Sequence, residues 1–529
     1  MNKACILAAG LGSRLNFSKF SNKALLPVGN RAAISIIMDS IPLDIEIVVA
    51  VNYMKEDLIN YLKLVEVERK IEFVDVSRIS GPGSGPGLSL VECEKFLQEP
   101  FVLFACDSIP LTKINFNLEY NWLATSKEIE TLNYLNVSGD KNENVIDFYD
   151  KIELTWETIQ KENISSFSGI AGIYDYKVFF QGLHEASAGN LELQVMPGFK
   201  RLLKKKVRII DNFCWADVGN QEKYEKFEKK LNHSPQIEKE NEYLYFEKNK
   251  TVKFYSMKDK AQNMKSRLQY LNGVNPPEVQ VKGRFLTHKF VIGTLLSDLN
   301  EKSAMINFLD FINDKLWKVS ANKNEHHNQL GIVFYKVKTN ERLNLMLKNI
   351  NLEQGITKIN GLQVPSLSDQ LKNINWDNLC NFGQSYFHGD PQPENVIYEN
   401  NKWTLIDWRD NFGGQVDFGD KYYDLAKIYH ALIVSGQSVR QGKFQVKILE
   451  NNDILAKIFI QDNHKMMINE FEKWAKLNGM DLLKIRQLSA LILLNIAPLH
   501  KKEYGIFLYY YGRYLLELNC RRDWIKIIE

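Results

Sequence analysis

The stretch "KACILAAGLGSR" (residues 3–14) decides how the first part of this chain folds. Its short apolar run ends in glycines and meets Arg14, the pattern of a first β-strand and a tight turn rather than a signal peptide. Gly10 and Gly12 let the backbone leave the strand sharply and present amides to an anion, and Arg14 adds a charge. Outward from it, as far as residue 107, apolar runs alternate with helical periods: "RAAISIIMDSI", "IEIVVAV", "KEDLINYLKLV", "KIEFVDV", "GLSLVECEKFL" and "FVLFACD". The order is strand, helix, strand, helix, strand, helix, strand. Strands apolar on both faces and joined by helices predict right-handed crossovers and a mostly parallel sheet. Such sheets bind ligands at the carboxyl ends of their strands, where "AAGLGS" and the "CD" of Cys106 and Asp107 both fall.

At 529 residues the chain exceeds one ordinary core and divides into several compact units. Hydrophobic content of 45% with 25% charged residues fits a globular protein, and 67 basic against 64 acidic residues leave only +3, which argues against a nucleic-acid partner. The basic run "RLLKKKVR" (201–208) reads as a helix end and its exit. Six widely spaced cysteines without a CxxC predict a reduced, cytoplasmic protein with no structural zinc. No run of 18 apolar residues occurs, so no membrane span is expected.

The charged, proline-bearing region 231–241 reads as a linker that closes a first domain, 1–230. Beyond it "YLYFEKNKTVKFYS" predicts a hairpin, followed by the helical "KDKAQNMKSRLQYL" and short strands up to "HKFVIGTLLSDL". Residues 242–300 are thus expected to form a small β-rich lobe. Residues 301–529 are expected to form a larger helical lobe that carries a polar loop at 386–410, with only helices over the last ninety or so residues.

Nine residues after Arg14 comes Lys23 in "NKALLPVGN". Asp107 closes "FVLFACD", and Asp217 lies in "CWADVGNQEKY". Together these resemble the signature of the nucleoside-diphosphate-sugar pyrophosphorylases and related cytidylyltransferases, whose motif is W-x-D-x-G-T-x-x-x-Y, with Asn220 here in place of Thr. The resemblance implies a Rossmann-like, GT-A-like α/β domain. In it Ala8, Gly10, Gly12 and Ser13 line the nucleotide, Arg14 and Lys23 are the catalytic cations, and Asp107 and Asp217 hold Mg²⁺. Two carboxylates facing a triphosphate suit an ion that prefers oxygen ligands and keeps positions for phosphate. "GPGSGPGLSL" (81–90) is a shaped loop, and the resemblance assigns Gly83 and Gly85 to the nucleotide. "VIDFYDKI" (145–152) looks like a variant of the family's E-K-P segment, implying that Asp150 and Lys151 bind the acceptor. "SGIAGIYDY" (168–176) is similar to the strand that closes the sugar pocket, at Gly172. The chemistry implied is attack by a phosphate-monoester oxygen on the α-phosphorus of an NTP (CTP, UTP or GTP), with pyrophosphate leaving. "GLGSRL", with Ser for Thr, favours CTP.

The stretch "YFHGDPQPENVIYENNKWTLIDW" (386–408) spaces Asp390, Asn395 and Asp407 as an ATP-dependent kinase spaces its base and its two metal-holding groups. "HGDPQPENVIY…LIDW" resembles the aminoglycoside phosphotransferase and choline kinase family, which implies a bilobal α+β, protein-kinase-like domain. Asp390 is then the base, Asn395 and Asp407 are Mg²⁺ ligands, and His388 orders the loop. "FGDKYYDLAKIYHAL" (418–432) matches that family's next helix, with Asp420 as an N-cap and Asp424 structural. Lys253, in "KTVKFYS", takes the place of the lysine that holds the nucleotide phosphates. "FLTHKFVIGTLL" supplies the hinge. The helix after Lys253 offers no Glu to pair with it, and no glycine-rich loop precedes it.

Consecutive activities follow: a kinase phosphorylates a small hydroxyl compound, a sugar at C1, and the transferase couples the product to a nucleotide for surface polysaccharide assembly. Two other readings stand beside this one. One is a choline or ethanolamine kinase fused to a phosphocholine-type cytidylyltransferase, with Trp403, Trp408, Tyr422 and Tyr423 caging the ammonium. The other is that one half is a degenerate binding or regulatory module.

Overall fold

In the computed structural model, residues 1–127, 130–187, 192–231, 242–320, 324–449 and 453–527 are described. The expected linker, 231–241, lies almost wholly outside them. The chain divides into two compact units, 1–233 with 244–256, and 234–243 with 257–529.

The first unit is built on a nine-stranded sheet. The strands predicted from the alternating pattern are β1 (Lys3–Leu7), β2 (Glu46–Val51), β3 (Ile71–Asp75) and β4 (Phe101–Ala105). They lie in the order β3-β2-β1-β4 and are all parallel. Helices Ala33–Asp39, Lys55–Val65 and Pro86–Cys93 connect them, as the periodicity predicts. Leu7 of β1 pairs with Ala105 of β4. That register brings the glycine turn after β1 and Asp107 after β4 to one edge of the sheet.

Five further strands complete the sheet: β6 (Asn121–Ser126), β7 (Leu135–Gly139), β8 (Val145–Asp150), β9 (Ile164–Ile173) and β10 (Val207–Ile210). β9 runs antiparallel to β4, β6 and β7, so this half of the sheet is mixed and not parallel throughout. The aromatic rings of Phe101, Phe148, Phe167, Phe179, Phe180 and Phe199 fill the core on one of its faces. A separate two-stranded ribbon pairs β5 (Ser108–Pro110) with β11 (Trp215–Asp217), setting Asp217 opposite Ser108.

The hairpin Glu242–Glu247 and Lys250–Tyr255 forms as expected, in a four-stranded sheet with Phe285–Lys289 and Val279–Lys282. By compactness residues 244–256 group with the first unit. A buried acid that the strand pattern hides fastens them there. Glu247 accepts from Arg31 Nε at 3.1 Å and Nη2 at 2.9 Å, from Ala32 N–H at 3.1 Å and from the Tyr61 hydroxyl at 2.7 Å. The Tyr245 hydroxyl donates to Leu25 C=O at 2.7 Å. A buried carboxylate stays where its donors are.

In the second unit, β12 (Val396–Glu399) and β13 (Lys402–Leu405) form a hairpin with Val396 opposite Leu405. Long helices Lys302–Lys315, Lys421–Ile433, Asp462–Leu477, Leu482–Ile496 and Lys502–Arg521 make most of the rest. The expectation of helices alone after about residue 440 is corrected. Phe444–Ile448 and Ile454–Ile458 pair antiparallel and join Thr357–Ile359 and Leu362–Val364 in a four-stranded sheet. "FQVKI" alternates at period two and "ILAKI" does not, and each is only five residues long among helical neighbours. The stretch Leu482–Leu499 has a mean hydropathy of 1.4 and is long and apolar enough, by length and composition alone, to cross a membrane. It includes Lys484 and Arg486, and 56% of it is buried within the structure, as in a core helix.

Candidate active sites

In the first unit the turn after β1 is built by backbone bonds. Gly12 has φ +63°, and its C=O accepts from Leu15 N–H at 2.9 Å. Ala8 N–H donates to Ala50 C=O. The buried Asn22, which the sequence did not single out, anchors the loop by donating to Ala8 C=O at 3.0 Å and to Tyr53 C=O at 2.7 Å. Gly10, Ser13 and Arg14 are left exposed at the sheet edge.

Lys23 Nζ lies 2.7 Å from Asp107 Oδ2, with both side chains under one-fifth exposed. Burial alone works against both charges. The pair, with Arg14 nearby, holds Asp107 below the usual carboxylate range, and Asp107 holds Lys23 above the usual lysine range. Asp217 is brought in by the β5–β11 ribbon, by Val218 N–H donating to Asp107 C=O at 3.0 Å, and by Gly219. A Cβ on Gly219 would lie 2.8 Å from Asp107 Oδ2 and 3.0 Å from Asp217 Oδ1. The two predicted metal carboxylates therefore flank one point that only glycine leaves open. Two carboxylate oxygens facing one point fit Mg²⁺, which takes oxygen ligands and keeps positions for phosphate.

Asp217 has two partners that the motif did not announce. Its Oδ2 accepts from the Tyr134 hydroxyl at 2.5 Å and from Lys223 Nζ at 3.1 Å, and Lys223 also reaches Glu130 at 2.6 Å. Asn220 caps the helix Gln221–Lys230 by accepting from Lys223 N–H, a role that Thr also fills. Arg14 C=O accepts from Gln221 N–H at 3.2 Å, joining the glycine turn to the same helix. Asp150 ends β8 opposite Leu135, and Lys151, at φ +53°, donates its N–H to Tyr134 C=O. The predicted acceptor segment thus lies beside Tyr134, and Tyr134 holds Asp217.

Gly83 and Gly85 have φ +74° and +114° and open the helix Pro86–Cys93. Gly85 packs on the backbone of Leu193, whose C=O accepts from Gly87 N–H at 2.8 Å. Gly172 differs from expectation. It is buried, and a Cβ there would strike the Trp122 indole at 2.0 Å, so it is a packing glycine. The glycine of β9 that approaches the site is Gly169, at φ +87°, where a Cβ would lie 2.5 Å from Ser108 Oγ, one residue from Asp107.

In the second unit Asp390 ion-pairs with Lys427 at 2.8 Å. Asn395 Nδ2 donates to Asp390 C=O at 2.9 Å, and Ile406 N–H donates to Asn395 C=O at 3.0 Å. With the Val396–Leu405 register, these bonds set Asn395 and Asp407 together at one end of the hairpin, and Asp407 takes a left-handed φ of +57°. That pairing of an amide oxygen and a carboxylate fits Mg²⁺.

Three supports hold the loop. Asp424 Oδ1 accepts from Gly389 N–H at 2.6 Å, while Oδ2 accepts from His388 N–H at 2.8 Å and Trp317 Nε1 at 2.9 Å. Burial raises its carboxyl to about 6 against these donors. His388 is fully buried, and burial lowers it to about 4, so it is neutral at pH 7 with its Nδ1 accepting from Asp390 N–H. Arg267, also fully buried, donates to Phe387 C=O at 2.6 Å, Val416 C=O at 2.8 Å, His388 C=O at 3.4 Å and Arg409 C=O. Asp420 caps its helix as expected, accepting from Tyr422 N–H. Lys253 falls in the part of the hairpin that groups with the first unit, its ammonium 5.6 Å over the Tyr255 ring.

The aromatic residues do not form an ammonium cage. Trp403 packs on Phe308 and Tyr398 in the core, Trp408 is buried and donates to Met264 C=O, and Lys484 and Lys338 lie over Tyr422 and Tyr423.

Solved structures similar to this chain include nucleotidyltransferases aligned over its amino-terminal part. Among them are a UDP-glucose pyrophosphorylase complexed with UDP-glucose (18% identity, 44% of this chain and 98% of that one, TM-score 0.37), the inositol-1-phosphate CTP transferase of T. maritima (18%, 44% and 97%, 0.35) and the CTP:phosphocholine cytidylyltransferase of Streptococcus pneumoniae (18%, 44% and 99%, 0.36). No protein-family model matches the chain, and no curated protein matches it.

Proposed function

We propose that the chain is a bifunctional transferase. Its second unit phosphorylates a small hydroxyl compound, a sugar at C1, with ATP. Its first unit transfers a nucleotidyl group from an NTP, CTP in first place, to that phosphate and releases pyrophosphate, giving an activated sugar for surface polysaccharide assembly. What supports the transferase reading is the convergence of the Gly10–Arg14 turn, Lys23, Asp107 and Asp217 at the carboxyl edge of the parallel strands, around the point that Gly219 leaves open.

The chain's own residues divide the work. The turn amides and Arg14 hold the triphosphate, and Lys23 neutralises charge developing at the α-phosphate. Lys151 and Asp150 orient the acceptor phosphate, whose oxygen attacks without a protein nucleophile. Mg²⁺, when bound by Asp107 and Asp217 or by Asn395 and Asp407, neutralises phosphate charge. In the second unit Asp390, held by its ion pair with Lys427, takes the proton of the acceptor hydroxyl.

The test is an ATP-consumption screen of the full-length protein against free sugars, sugar phosphates, polyols, choline and ethanolamine, with pyrophosphate release from CTP, UTP, GTP and dTTP followed in the same wells. ATP use with one acceptor, followed by pyrophosphate from one nucleotide, is the expected result. Pyrophosphate release only from ready-made phosphate esters, with no ATP use in any well, refutes the kinase half.

A further inference from the structure

Beside the loop at 386–410 of the second unit lies a small pocket of about 80 Å³. Its walls come from Ile332–Val337, wound as a π-helix, from the helix Lys338–Asn349, from Tyr423 and from Leu482–Ile496. Short π-helical turns concentrate at functional sites. Three cations line this pocket, Lys338, Arg342 and Arg409, and no Asp or Glu among the described residues does.

The Lys338 ammonium sits 3.4 Å from the centre of the Phe334 ring, and the Arg409 guanidinium sits 5.0 Å from the same ring. Among the described residues none of the three cations has a carboxylate partner; Arg409 spends its Nε on Asn411 C=O at 2.9 Å. Burial, together with the charges of Arg409, Lys427 and Arg342, presses Lys338 well below the ordinary lysine range. Like charges gathered in a half-buried pocket repel one another, and an anion placed among them relieves the repulsion.

The position of the pocket ties it to the chemistry. Arg409 follows Asp407 by two residues, and its N–H donates to His388 C=O at 3.0 Å. Tyr423 stands one helical turn before Lys427, the partner of Asp390.

We propose that this pocket takes the anionic end of the acceptor, so that the second unit phosphorylates a small hydroxyl compound bearing a phosphate monoester or a carboxylate, not choline, ethanolamine or an uncharged sugar. The proposal rests on the kinase reading above. In the step, a bond forms between the acceptor hydroxyl oxygen and the γ-phosphorus, and the bond from that phosphorus to the β–γ bridging oxygen breaks. ADP leaves, and the hydroxyl proton passes to Asp390.

The test pairs binding with turnover on the full-length protein. Calorimetric titrations and ADP formation are measured with glucose and glucose 6-phosphate, with glycerol, sn-glycerol 3-phosphate and D-glycerate, and with choline. The anions are expected to bind about tenfold or more tighter than their uncharged counterparts. Arg342→Gln should remove that preference and raise KM far more than it lowers kcat, whereas Arg342→Lys, which keeps the charge, should retain part of it. Comparing glycerate with glycerol phosphate tells carboxylate from phosphate. Anions that bind no tighter than glycerol or glucose, a preference unchanged in both Arg342→Gln and Lys338→Met, or best turnover with choline, each overturn the proposal. Arg342-dependent anion binding without any ADP formation upholds the pocket and refutes the kinase reading; ADP formation with an uncharged acceptor and no anion binding does the reverse.

Discussion

Replacing Arg267 by Met should loosen the loop at 386–410 of the second unit more than any surface change could. Three short charge-assisted bonds, to Phe387, Val416 and Arg409 C=O, tie residues far apart in sequence to one guanidinium. Each is worth roughly 1.5–3 kcal/mol. Burial opposes them, lowering the arginine from 12.5 to about 10, which corresponds to about 3 kcal/mol against the charge. The bonds win, and Arg267→Met should lose about 2–4 kcal/mol, since Met fills the volume but leaves the carbonyls buried and unpaired. Arg267→Lys should rescue little, because a single ammonium cannot span carbonyls that the planar fork reaches from three sides. The assay is urea unfolding of the full chain followed by tryptophan fluorescence. Of the nine Trp residues, six (Trp317, Trp376, Trp403, Trp408, Trp474 and Trp524) lie in the second unit, so the signal reports mainly on it. A midpoint shift worth less than about 0.5 kcal/mol, or full recovery by Lys, refutes this account of Arg267.

Asp390→Ala should lower ADP formation by about 10²–10⁴-fold while leaving pyrophosphate release from a supplied phosphate ester intact, and Asp107→Ala should do the reverse; loss of both activities in each folded variant would sink the two-site reading. Glu247→Gln should destabilise the first unit by about 1–3 kcal/mol, because Arg31, Ala32 N–H and Tyr61 lose a shared anion, and denaturant titration reads that loss directly. Burial lowers His388 to about 4 and His430 to about 3, below the ordinary 6.5, so the unfolded chain binds their protons first as pH falls. Stability is therefore whole above about pH 6.5 and declines below it, by about 3 kcal/mol for His388, complete near pH 4, and by about 5 kcal/mol for His430, complete near pH 3. Unfolding midpoints at pH 7.5 and 4.5 check the slope, and His388→Gln should flatten it. Gly169→Ala, with its Cβ forced toward Ser108 Oγ at a positive φ, should impair pyrophosphate release more than it lowers the unfolding midpoint, as compared in parallel assays.

Sequence alone determined what local periodicity and spacing encode. "ACILAA", "IEIVVAV", "KIEFVDV" and "FVLFACD" announced the parallel strands because strands buried on both faces leave continuous apolar runs. The turn after β1 was announced by its glycines, and the intervals between Asp390, Asn395 and Asp407 survived because one loop and one hairpin carry all three. The partners that hold these groups in place went unseen: Asn22 beneath the turn, Tyr134 and Lys223 on Asp217, Lys427 on Asp390, and Arg267 under the loop. They come from distant segments, have no fixed offset from the motifs, and resemble ordinary surface residues until burial and hydrogen bonding single them out. Gly172 and Gly169 are indistinguishable on paper, and only the Trp122 ring over one and Ser108 beside the other give them different work. For the hairpin, alternation predicted that it would form, whereas the four donors gathered on the buried Glu247 appear only in the fold. Tertiary structure had the last word wherever one charge had to find its counter-charge across the chain, because such a pairing is a property of three-dimensional proximity that no local pattern records.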